Sequence, residues 1–469
     1  MSLPAIRRLL FPLLLCALSA QAEGSLPPQV RAALARAKLP SSALSVHLVE
    51  LRAGARARLS LQAHAARNPA SLMKLVTTVV ALDTLGSAFT WRTPVYLDGT
   101  VREGTLHGNL YIRGQGDPKL VVERLWLLLR RVQSLGIHTI AGDIVLDQSA
   151  FEALDVDPGE FDGERYRPYN VAPAALLLNF KSVVMTFVPD ARAGVAHVHY
   201  DPPLAGVQMQ PSVPLTEGHC NDYRGTLRVE LADPARIGFA GSFPAACGEK
   251  VWPLAYADPD SFNRRAIVAM WQSLGGALRG TVREGAVDPQ LSPMFEVASP
   301  PLTEVVHDIN KYSNNMQAQL LFLTLSQQQH GTGTLADSRL LVQDWWRREL
   351  RDVPAPVLSN GSGLSRDDRI SAYALARLLQ HAWSSPVMPE LAASLPLLGR
   401  DGTLKRVDSV AAGRAHLKTG SLRNVVGVAG YVHGVSGRHY VLVALVNHGH
   451  AAAARPALQS LVEWAVQDR

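Results

Sequence analysis

Long apolar runs are scarce in this 469-residue sequence. After the first 22 residues, no stretch reaches the eighteen or so consecutive apolar residues of a membrane-spanning helix, so we predict no membrane span in the remaining, soluble chain. Charged residues are also few, at 18%, whereas hydrophobic residues make up 47%. A chain of this length and composition buries large cores and is too long for one ordinary domain, so we expect two or three lobes.

Signatures of several functional classes are missing as well. The sequence contains no zinc-ligand spacing, no glycine-rich phosphate loop between a strand and a helix, and no G-x-S-x-G nucleophile elbow. The formal net charge of +6 falls by two to +4 when Arg7 and Arg8 are removed with a leader. This surplus is too small for a nucleic-acid-binding protein. We therefore predict no metal, no cofactor and no nucleic-acid partner.

The first 22 residues have the pattern of a secretory signal peptide. Arg7 and Arg8 precede an apolar run that starts at Leu9, and the small residues Ala20 and Ala22 follow it. A run of about a dozen residues is too short to cross a bilayer core of roughly 30 Å as a helix. We expect cleavage near Ala22 and export to the periplasm.

Cysteine is rare, with three residues in the whole chain. Cys16 falls within the predicted leader, which leaves Cys220 and Cys247. In an exported chain two cysteines favour a disulfide, and two buried free thiols are the alternative. A bridge that closes a loop of this length stabilises a protein by roughly 3 kcal/mol in the chain-entropy model.

Helical patterns frame a long, β-rich middle segment. The predicted elements are, in order, a helix at 28–39, a hairpin of 45–51 and 57–62, a buried helix at 71–85, short strands from about 91 to 293 with helices at 121–135 and 263–274, helices at 303–327, 335–350 and 372–382, a hairpin of 425–432 and 439–446, and a helix at 456–466. The two outer segments are thus predicted to form one helix-and-sheet core that the middle segment interrupts.

Lysine is also scarce, since only eight of the 46 basic residues are lysines. One of them, Lys74, lies within the apolar stretch NPASLMKLVTT, residues 68–78, three positions after Ser71. Side chains three apart on a helix share a face. A lysine whose pKa is lowered by desolvation can act as the base that a serine nucleophile needs. Ser71 and Lys74 are therefore a candidate nucleophile and base, and the alternative is a helix cap beside a lysine that reaches solvent.

Two further motifs support the interpretation of Ser71 and Lys74 as a nucleophile and its base. Ser313 and Asn315 form an S-x-N motif where a turn would present both to a cleft, and K-T-G follows at 418–420, on a predicted edge strand where Gly420 leaves room for another backbone. A second S-x-N, at 261–263, looks like an ordinary helix entry. S-x-x-K, S-x-N and K-T-G in this order are the motifs of penicillin-binding proteins and β-lactamases.

The number of residues between the S-x-x-K and S-x-N motifs distinguishes between the families that share them. Ser71 and Ser313 are 242 positions apart, far more than in β-lactamases. Such an insert resembles the class C low-molecular-mass penicillin-binding proteins, the D-alanyl-D-alanine carboxypeptidase/endopeptidase family. Further stretches similar to that family are GNLYIRGQGDP at 108–118, YNVAP at 169–173, NGSGLSR at 360–366 and DGTLK at 401–405.

The resemblance implies an α+β fold. A transpeptidase/β-lactamase-like domain, with an antiparallel sheet flanked by helices, would be interrupted by a large, mostly β insert that itself contains a further domain. The boundaries would be 23–92 for the first part of the penicillin-binding domain, 93–292 for the inserted domains II and III, and 293–469 for the second part.

The resemblance also implies a role for each catalytic residue. Ser71 would be the acylated nucleophile and Lys74 its general base. Ser313 would relay a proton to the leaving amine, and Asn315 would hold the substrate amide. Lys418 would supply positive charge for the terminal carboxylate of the substrate and help to lower the pKa of Lys74.

Substrate binding would involve the strand of the K-T-G motif and two outlying residues. Thr419 would bind the terminal carboxylate beside Gly420, and the backbone N–H groups of Ser71 and Ser421 would form the oxyanion hole. Family members that process diaminopimelate stems read the side-chain end with an acidic residue of the insert and an arginine. The matching positions are Glu164, where the family has aspartate, and Arg366.

The resemblance implies a serine DD-peptidase of the periplasm. Its partners would be peptidoglycan peptide stems and β-lactam antibiotics, and homodimer formation stays open. A β-lactamase, which the long insert disfavours, and a non-catalytic wall-binding protein on the same fold are the two alternatives.

Overall fold

The computed structural model describes residues 25–468. The predicted signal peptide and its cleavage point near Ala22 lie outside the described residues. Within 25–468, none of the helices combines the length and the apolar character that a bilayer crossing requires.

The first segment forms two helices and three strands. In chain order they are α1 (Pro28–Arg36), β1 (Leu44–Glu50), β2 (Ala57–Leu61), β3 (Ala66–Arg67) and α2 (Met73–Leu85).

The middle segment is mostly strands. Its elements are β4 (Arg92–Leu97), β5 (Thr100–Arg102), β6 (Thr105–His107), β7 (Leu110–Arg113), α3 (Val122–Ser134), β8 (Thr139–Ile140), β9 (Ile144–Asp147), β10 (Ser182–Asp190), β11 (Val195–Asp201), β12 (Gln208–Met209), β13 (Ser212–Thr216), α4 (Tyr223–Thr226), β14 (Leu227–Glu230), β15 (Arg236–Gly241), β16 (Phe243–Pro244), β17 (Lys250–Ala255), α5 (Pro259–Ser273), β18 (Ala277–Leu278), β19 (Val282–Glu284) and β20 (Phe295–Ala298).

The last segment returns to helices and ends in a hairpin and a helix. Its elements are α6 (Leu302–Tyr312), α7 (Asn315–His330), α8 (Leu335–Glu349), β21 (Ile370–Ser371), α9 (Ala372–Trp383), α10 (Met388–Ser394), β22 (Ala415–Leu422), β23 (Val425–His433), β24 (His439–Asn447) and α11 (Arg455–Val466).

One five-stranded sheet joins the first and last segments, in the order β2-β1-β24-β23-β22. All four pairings are antiparallel, and the central strand β24 reads HYVLVALVN, apolar at nearly every position. Val441 and Val443 pack with α2 and α9, whereas Leu442 and Ala444 pack with α1 and α11. Because helices cover both faces, the strand is buried on both sides and lacks the alternation of a half-exposed strand. The predicted α+β class, with an antiparallel sheet flanked by helices, is confirmed.

The middle segment forms sheets of its own around a separate core. The strand orders are β19-β9-β7-β4-β20, β18-β8-β6-β5, β16-β13-β11-β10-β17 and β12-β15-β14. A smaller apolar cluster, which includes Phe151, Leu177, Met316 and Leu320, joins this segment to α7. The insert is therefore packed against the helix that follows the S-x-N motif. The predicted domain boundaries at 93 and 292 stay predictions.

The single helix predicted at 303–327 is wrong in one respect, because the chain breaks between α6 and α7. Ser313 adopts a left-handed conformation with φ of 60°, which ends α6. The Asn314 side chain then accepts a hydrogen bond from the Gln317 N–H and starts α7. The break places Ser313 in a turn between two helices, where its side chain leaves the helical face.

Candidate active site

Ser71 lies in a tight turn at the start of α2. Residues 70–72 form one turn of 3-10 helix, and the Asn68 side chain accepts a hydrogen bond of 2.8 Å from the Ala70 N–H. Ala70 is held at φ of 49°. A Cβ atom at Gly363 would lie 2.0 Å from the Ala70 carbonyl oxygen, so only glycine lets the NGSGLSR loop approach this turn.

Lys74 follows one helical turn later and is fully buried. Its Nζ donates to the Ser71 Oγ at 3.0 Å, to the Asn315 Oδ1 at 2.6 Å and to the Ser362 carbonyl oxygen at 2.5 Å. Three segments that are far apart in the chain thus meet at one amine. The S-x-x-K spacing predicted the first contact, and only the fold supplies the other two.

The surroundings of Lys74 disfavour its charged form. Burial lowers the pKa of Lys74, the charge of Lys418 lowers it further, and the Asp368 carboxyl opposes both, leaving the pKa well below its ordinary value. Lys418 is itself fully buried, and burial lowers its pKa to about 7.

Lys418 connects β22 to the S-x-N turn. Its Nζ donates to the Ser313 Oγ at 2.8 Å and to the Thr419 carbonyl oxygen at 2.8 Å. Because the hydroxyl oxygen of Ser313 accepts from Lys418, its proton is free to be donated elsewhere. The three motifs therefore converge through two short contacts, Lys74 with Asn315 and Lys418 with Ser313.

Strand β22 is the edge strand of the five-stranded sheet, as predicted. A Cβ atom at Gly420 would lie 2.6 Å from the Pro69 carbonyl oxygen, so the glycine lets β22 pack directly on the turn before Ser71. The Thr419 hydroxyl lies 2.9 Å from that of Thr403. This second threonine belongs to the DGTLK turn, which an ion pair of 3.0 Å between Lys311 and Asp401 fixes to the end of α6.

A cavity of about 530 Å³ opens at Ser71. It is lined by Ser71, Phe161, Asp162, Tyr169, Ser313, Asn315, Leu364, Arg366, Ser421, Leu422 and Arg423. A smaller cavity of about 290 Å³ adjoins it along Thr419, Gly420 and Ser421. The structure thus brings Ser71, Ser313, Asn315 and Arg366 together at one cleft between the insert and the outer segments, whereas Lys74 and Lys418 are fully buried and Thr419 and Gly420 line the smaller cavity.

The acidic residue of the insert that lines this cavity is Asp162, two positions before the predicted Glu164, which is not part of the lining. Glu164 forms an ion pair with Arg167 at 3.1 Å, and its side chain is 57% exposed. Partial burial raises the pKa of Asp162, but hydrogen bonds from the Glu164 N–H, Asn170 and Tyr169 outweigh this and leave that pKa below its ordinary value. The family has aspartate at this position. Asp162, the aspartate nearest to Glu164 in the sequence, could therefore have been predicted as the acidic residue of the cleft.

Arg366 projects from the NGSGLSR loop toward the insert. Its guanidinium donates to the Phe161 carbonyl oxygen at 3.0 Å and lies 4.8 Å from the centre of the Phe161 ring. Arg366 and the segment of Asp162 therefore form one wall of the cavity. No role was predicted from the sequence for the buried Asp368, which follows the NGSGLSR stretch, or for the Ser362 carbonyl within it, because a backbone contact leaves no signal in the residue type.

Two other sequence features lie away from the cleft. The second S-x-N motif is within α5, where Asn263 is buried and donates to the Leu176 carbonyl at 2.8 Å, so it has a structural contact. Cys220 and Cys247 are bonded, with sulfur atoms 2.04 Å apart in the insert.

The fold and the convergence of the three motifs define a class, the serine peptidases built on the penicillin-binding transpeptidase fold. The model of the D-Ala-D-Ala carboxypeptidase 3 (S13) family matches residues 26–468, and the chain belongs to this family. It is accordingly a serine-type D-Ala-D-Ala carboxypeptidase that acts on peptidoglycan.

Individual relatives agree with this membership. The chain is 28% identical over 416 residues to a D-alanyl-D-alanine carboxypeptidase of an Actinomadura strain, covering 84% of this chain and 76% of the relative. It is 26% identical over 390 residues to the D-alanyl-D-alanine carboxypeptidase DacB of Haemophilus influenzae, covering 81% and 80%. The crystal structure of penicillin binding protein 4 (dacB) from H. influenzae has the same fold, with a TM-score of 0.75 at 22% identity over 93% of this chain and 99% of that one.

Proposed function

We propose that the chain is an exported, periplasmic DD-peptidase that works through a Ser71 acyl-enzyme. It removes the terminal D-Ala of peptide stems and also hydrolyses D-Ala–diaminopimelate cross-links, and β-lactams acylate the same serine. Export is supported by the N-terminal pattern of residues 1–22. The observation that carries the proposal is the contact of 3.0 Å between Ser71 and a fully buried Lys74.

The contacts of Lys74 suit a general base. A neutral lysine amine has two N–H bonds and one lone pair. The Asn315 side chain and the Ser362 carbonyl accept hydrogen bonds from Nζ at 2.6 and 2.5 Å, which occupies both N–H bonds. The contact of 3.0 Å with Ser71, which the ammonium form donates, then runs in the opposite direction: the lone pair of the neutral amine accepts the Ser71 hydroxyl proton.

Acylation follows from this arrangement. The Ser71 Oγ attacks the carbonyl carbon of the penultimate D-Ala while its proton passes to Lys74. The negative charge that develops on the carbonyl oxygen is stabilised by the backbone N–H groups of Ser71 and Ser421. The C–N bond then breaks, and the leaving amine takes the hydroxyl proton of Ser313, which Lys418 replaces across its contact of 2.8 Å.

Deacylation uses the same base. Before this step Lys74 releases its proton to the solvent and Lys418 takes one up, so that both amines return to their starting states. A water molecule then attacks the ester carbonyl while Lys74 accepts one of its protons. Ser71 leaves with a proton, and the acid product departs. One difficult amide hydrolysis is thereby divided into two easier steps.

Substrate specificity is assigned to the two ends of the cleft. An extended stem adds to the free edge of β22, where its main chain pairs with the strand. Lys418 and Thr419 hold the terminal carboxylate of the substrate. At the other end, Asp162 binds the ammonium and Arg366 the carboxylate at the side-chain end of diaminopimelate, since their opposite charges match a zwitterion.

A labelled penicillin tests the nucleophile. The intact chain should form a covalent adduct on the peptide that contains Ser71, detected by mass spectrometry, and Ser71→Ala should form none. Ser134→Ala, which changes an exposed serine at the end of α3, should label like the parent. Labelling of Ser71→Ala at the rate of the parent would remove Ser71 from the mechanism.

The reaction products distinguish carboxypeptidase, endopeptidase and β-lactamase activity. Digestion of purified peptidoglycan followed by chromatography should show loss of terminal D-Ala from pentapeptide stems and loss of cross-linked dimers. If the dimers persist while pentapeptides shorten, the endopeptidase part of the proposal fails. Rapid release of hydrolysed penicillin, in place of a lasting adduct, would indicate a β-lactamase instead.

A further inference from the structure

A second cavity of about 1110 Å³ lies at the opposite edge of the five-stranded sheet, beside the hairpin of β1 and β2. Helix α9 and the end of α8 form its other wall. Helices α9 and α2 pack on the same face of the sheet, so this cavity and Ser71 lie on one side of the molecule. Four strand spacings separate β2 from β22, which is roughly 20 Å.

The polar groups of this cavity are arranged around Tyr373. The Arg377 guanidinium donates to the Tyr373 hydroxyl at 3.0 Å. The ring of His64 lies 4.5 Å from the Tyr373 ring, and that of His47 lies 5.5 Å from it. The tyrosine hydroxyl, the guanidinium and the imidazoles all have N–H or O–H bonds to donate, so the cluster is rich in donors.

The cavity also carries uncompensated positive charge. Over residues 25–468, no ion pair includes Arg377 or Arg56, which both line the cavity. Arg52, at the rim, lies 3.6 Å from Glu50. Glu349 is the acidic residue of the lining, and its carboxylate accepts from Arg348 at 2.7 Å.

His47 adds a buried polar atom without a partner to this site. It is 8% exposed, and its Nδ1 has no hydrogen-bond partner among the described residues. Burial, then His64 and Arg377, lowers the pKa of His47 to about 4, so this imidazole is neutral at pH 7 amid positive surroundings. An oxygen-rich anion in the cavity would offer acceptors to these donors and balance the charge of Arg377.

We propose that this cavity is an exosite that binds a carboxylate-bearing peptide stem of peptidoglycan, other than the stem being cleaved. The inference rests on the proposed function, because it takes the stem peptide as the ligand. The cavity has about twice the volume of the one at Ser71, which gives room for a peptide segment. A polymer that carries many stems lets a second stem bind at high effective concentration once the first is engaged.

Binding to insoluble peptidoglycan tests the exosite directly. Sedimentation of the Ser71→Ala chain with purified sacculi gives a dissociation constant without turnover. Adding Arg377→Gln should weaken binding about tenfold, the loss expected for a charge-assisted hydrogen bond. Arg377→Lys, which keeps the charge, should recover part of it. Arg102→Gln, an exposed charge on β5, should bind within twofold of Ser71→Ala alone.

The chemistry of the ligand is tested on the same sacculi. Amidation of the stem carboxyls should weaken binding and remove the difference between the Arg377 variant and the Arg102 control. If the variant still binds amidated sacculi less well than the control does, carboxylate is not the ligand. Loss of binding to phosphatidylglycerol vesicles in Arg377→Gln, with unchanged binding to sacculi, would overturn the proposal in favour of a phosphate ligand.

Hydrolysis assays show whether the exosite proposal or the proposed function itself is wrong. With Ser71 intact, Arg377→Gln should hydrolyse a short soluble D-Ala-D-Ala substrate like the parent and digest sacculi more slowly. A parent that cleaves neither substrate would refute the proposed function. A parent that cleaves both, with Arg377→Gln equally fast on sacculi, would refute the exosite alone. Arg56→Gln, at an exposed rim position, provides a second variant if Arg377→Gln unfolds at a lower temperature.

Discussion

At the scale of single residues, two buried lysines carry most of the proposed chemistry. Removing an ammonium group from water is costly, and both Lys74 and Lys418 are fully buried with lowered pKa values. The proposed mechanism needs them in opposite states, because Lys74 must be neutral to accept a proton whereas Lys418 must be charged to hold a carboxylate. Activity is therefore confined to a pH window in which both conditions hold.

The upper limit of that window is a prediction about Lys418. A lysine is charged below its pKa, so kcat/KM for a substrate with a free terminal carboxylate should fall as the pH rises through about 7. Below the much-lowered pKa of Lys74, kcat/KM should fall again as the base becomes protonated. The measurement is the pH profile of kcat/KM on a short D-Ala-D-Ala peptide.

A conservative variant assigns the alkaline limb to its residue. Lys418→Arg stays charged to beyond pH 12, so the fall above about pH 7 should disappear even if the maximal rate is reduced. An alkaline limb that stays at the same pH in this variant would have to be assigned to another group.

At the scale of elements, close backbone contacts hold the three motif segments next to one another. The 3-10 turn before α2 is pressed between the NGSGLSR loop at Gly363 and strand β22 at Gly420. The break between α6 and α7 then turns Ser313 toward Lys418. The sequence indicated glycine at the edge strand for a close approach, and the structure identifies the approaching group as the Pro69 carbonyl.

Gly420→Ala tests this contact. The added methyl group would meet a backbone carbonyl oxygen at 2.6 Å, which cannot move aside as a flexible side chain can. We expect the free energy of unfolding to fall by about 1–3 kcal/mol, the usual cost of one overpacked methyl group. The rate of penicillin acylation should fall at least about tenfold, because the turn that holds Ser71 is displaced. Urea denaturation and labelling kinetics measure the two effects.

A matched glycine provides the control. Gly238 on β15 has its nearest heavy atoms at 3.4 Å, all at the ends of side chains, so Gly238→Ala should leave acylation unchanged. Equal acylation rates for Gly420→Ala and the parent would show that the close packing of β22 on the Ser71 turn is dispensable.

At the scale of the whole molecule, the insert completes the cleft. Phe161, Asp162 and Tyr169 line the cavity of Ser71 from a segment that begins 90 positions after Ser71 and ends 144 positions before Ser313. Packing of the insert on α7 through the cluster of Phe151 and Met316 fixes this segment beside Arg366. In the proposed mechanism the insert therefore selects among stems while the outer segments carry out the reaction.

Asp162→Asn tests the choice of stem. Loss of the negative charge should raise KM for stems that contain diaminopimelate by about tenfold, the value of one charge-assisted hydrogen bond, and should leave a short D-Ala-D-Ala peptide unaffected. Steady-state kinetics on the two substrates provide the measurement.

Glu164→Gln is the internal control for this test. Its carboxylate faces Arg167, so the variant should keep the kinetics of the parent on both substrates. The reverse outcome, with Glu164→Gln impaired and Asp162→Asn normal, would return the acidic role to Glu164 and contradict the geometry of the cleft.

The sequence by itself predicted the class of fold and the family, because the order of the S-x-x-K, S-x-N and K-T-G motifs and the long insert between the first two resemble that family. Hydrophobic periodicity, a local property of the chain, predicted the single elements. Most helices were thus predicted to within a few residues, for example 335–350 against the observed Leu335–Glu349. Only the tertiary structure decided which acidic residue of the insert faces Ser71, where the helix breaks at Ser313, and that Lys74 donates to the Ser362 carbonyl. Each of these depends on contacts between segments far apart in the chain, and the donor-rich cavity around Arg377, assembled from β1, β2 and α9, arises in the same way.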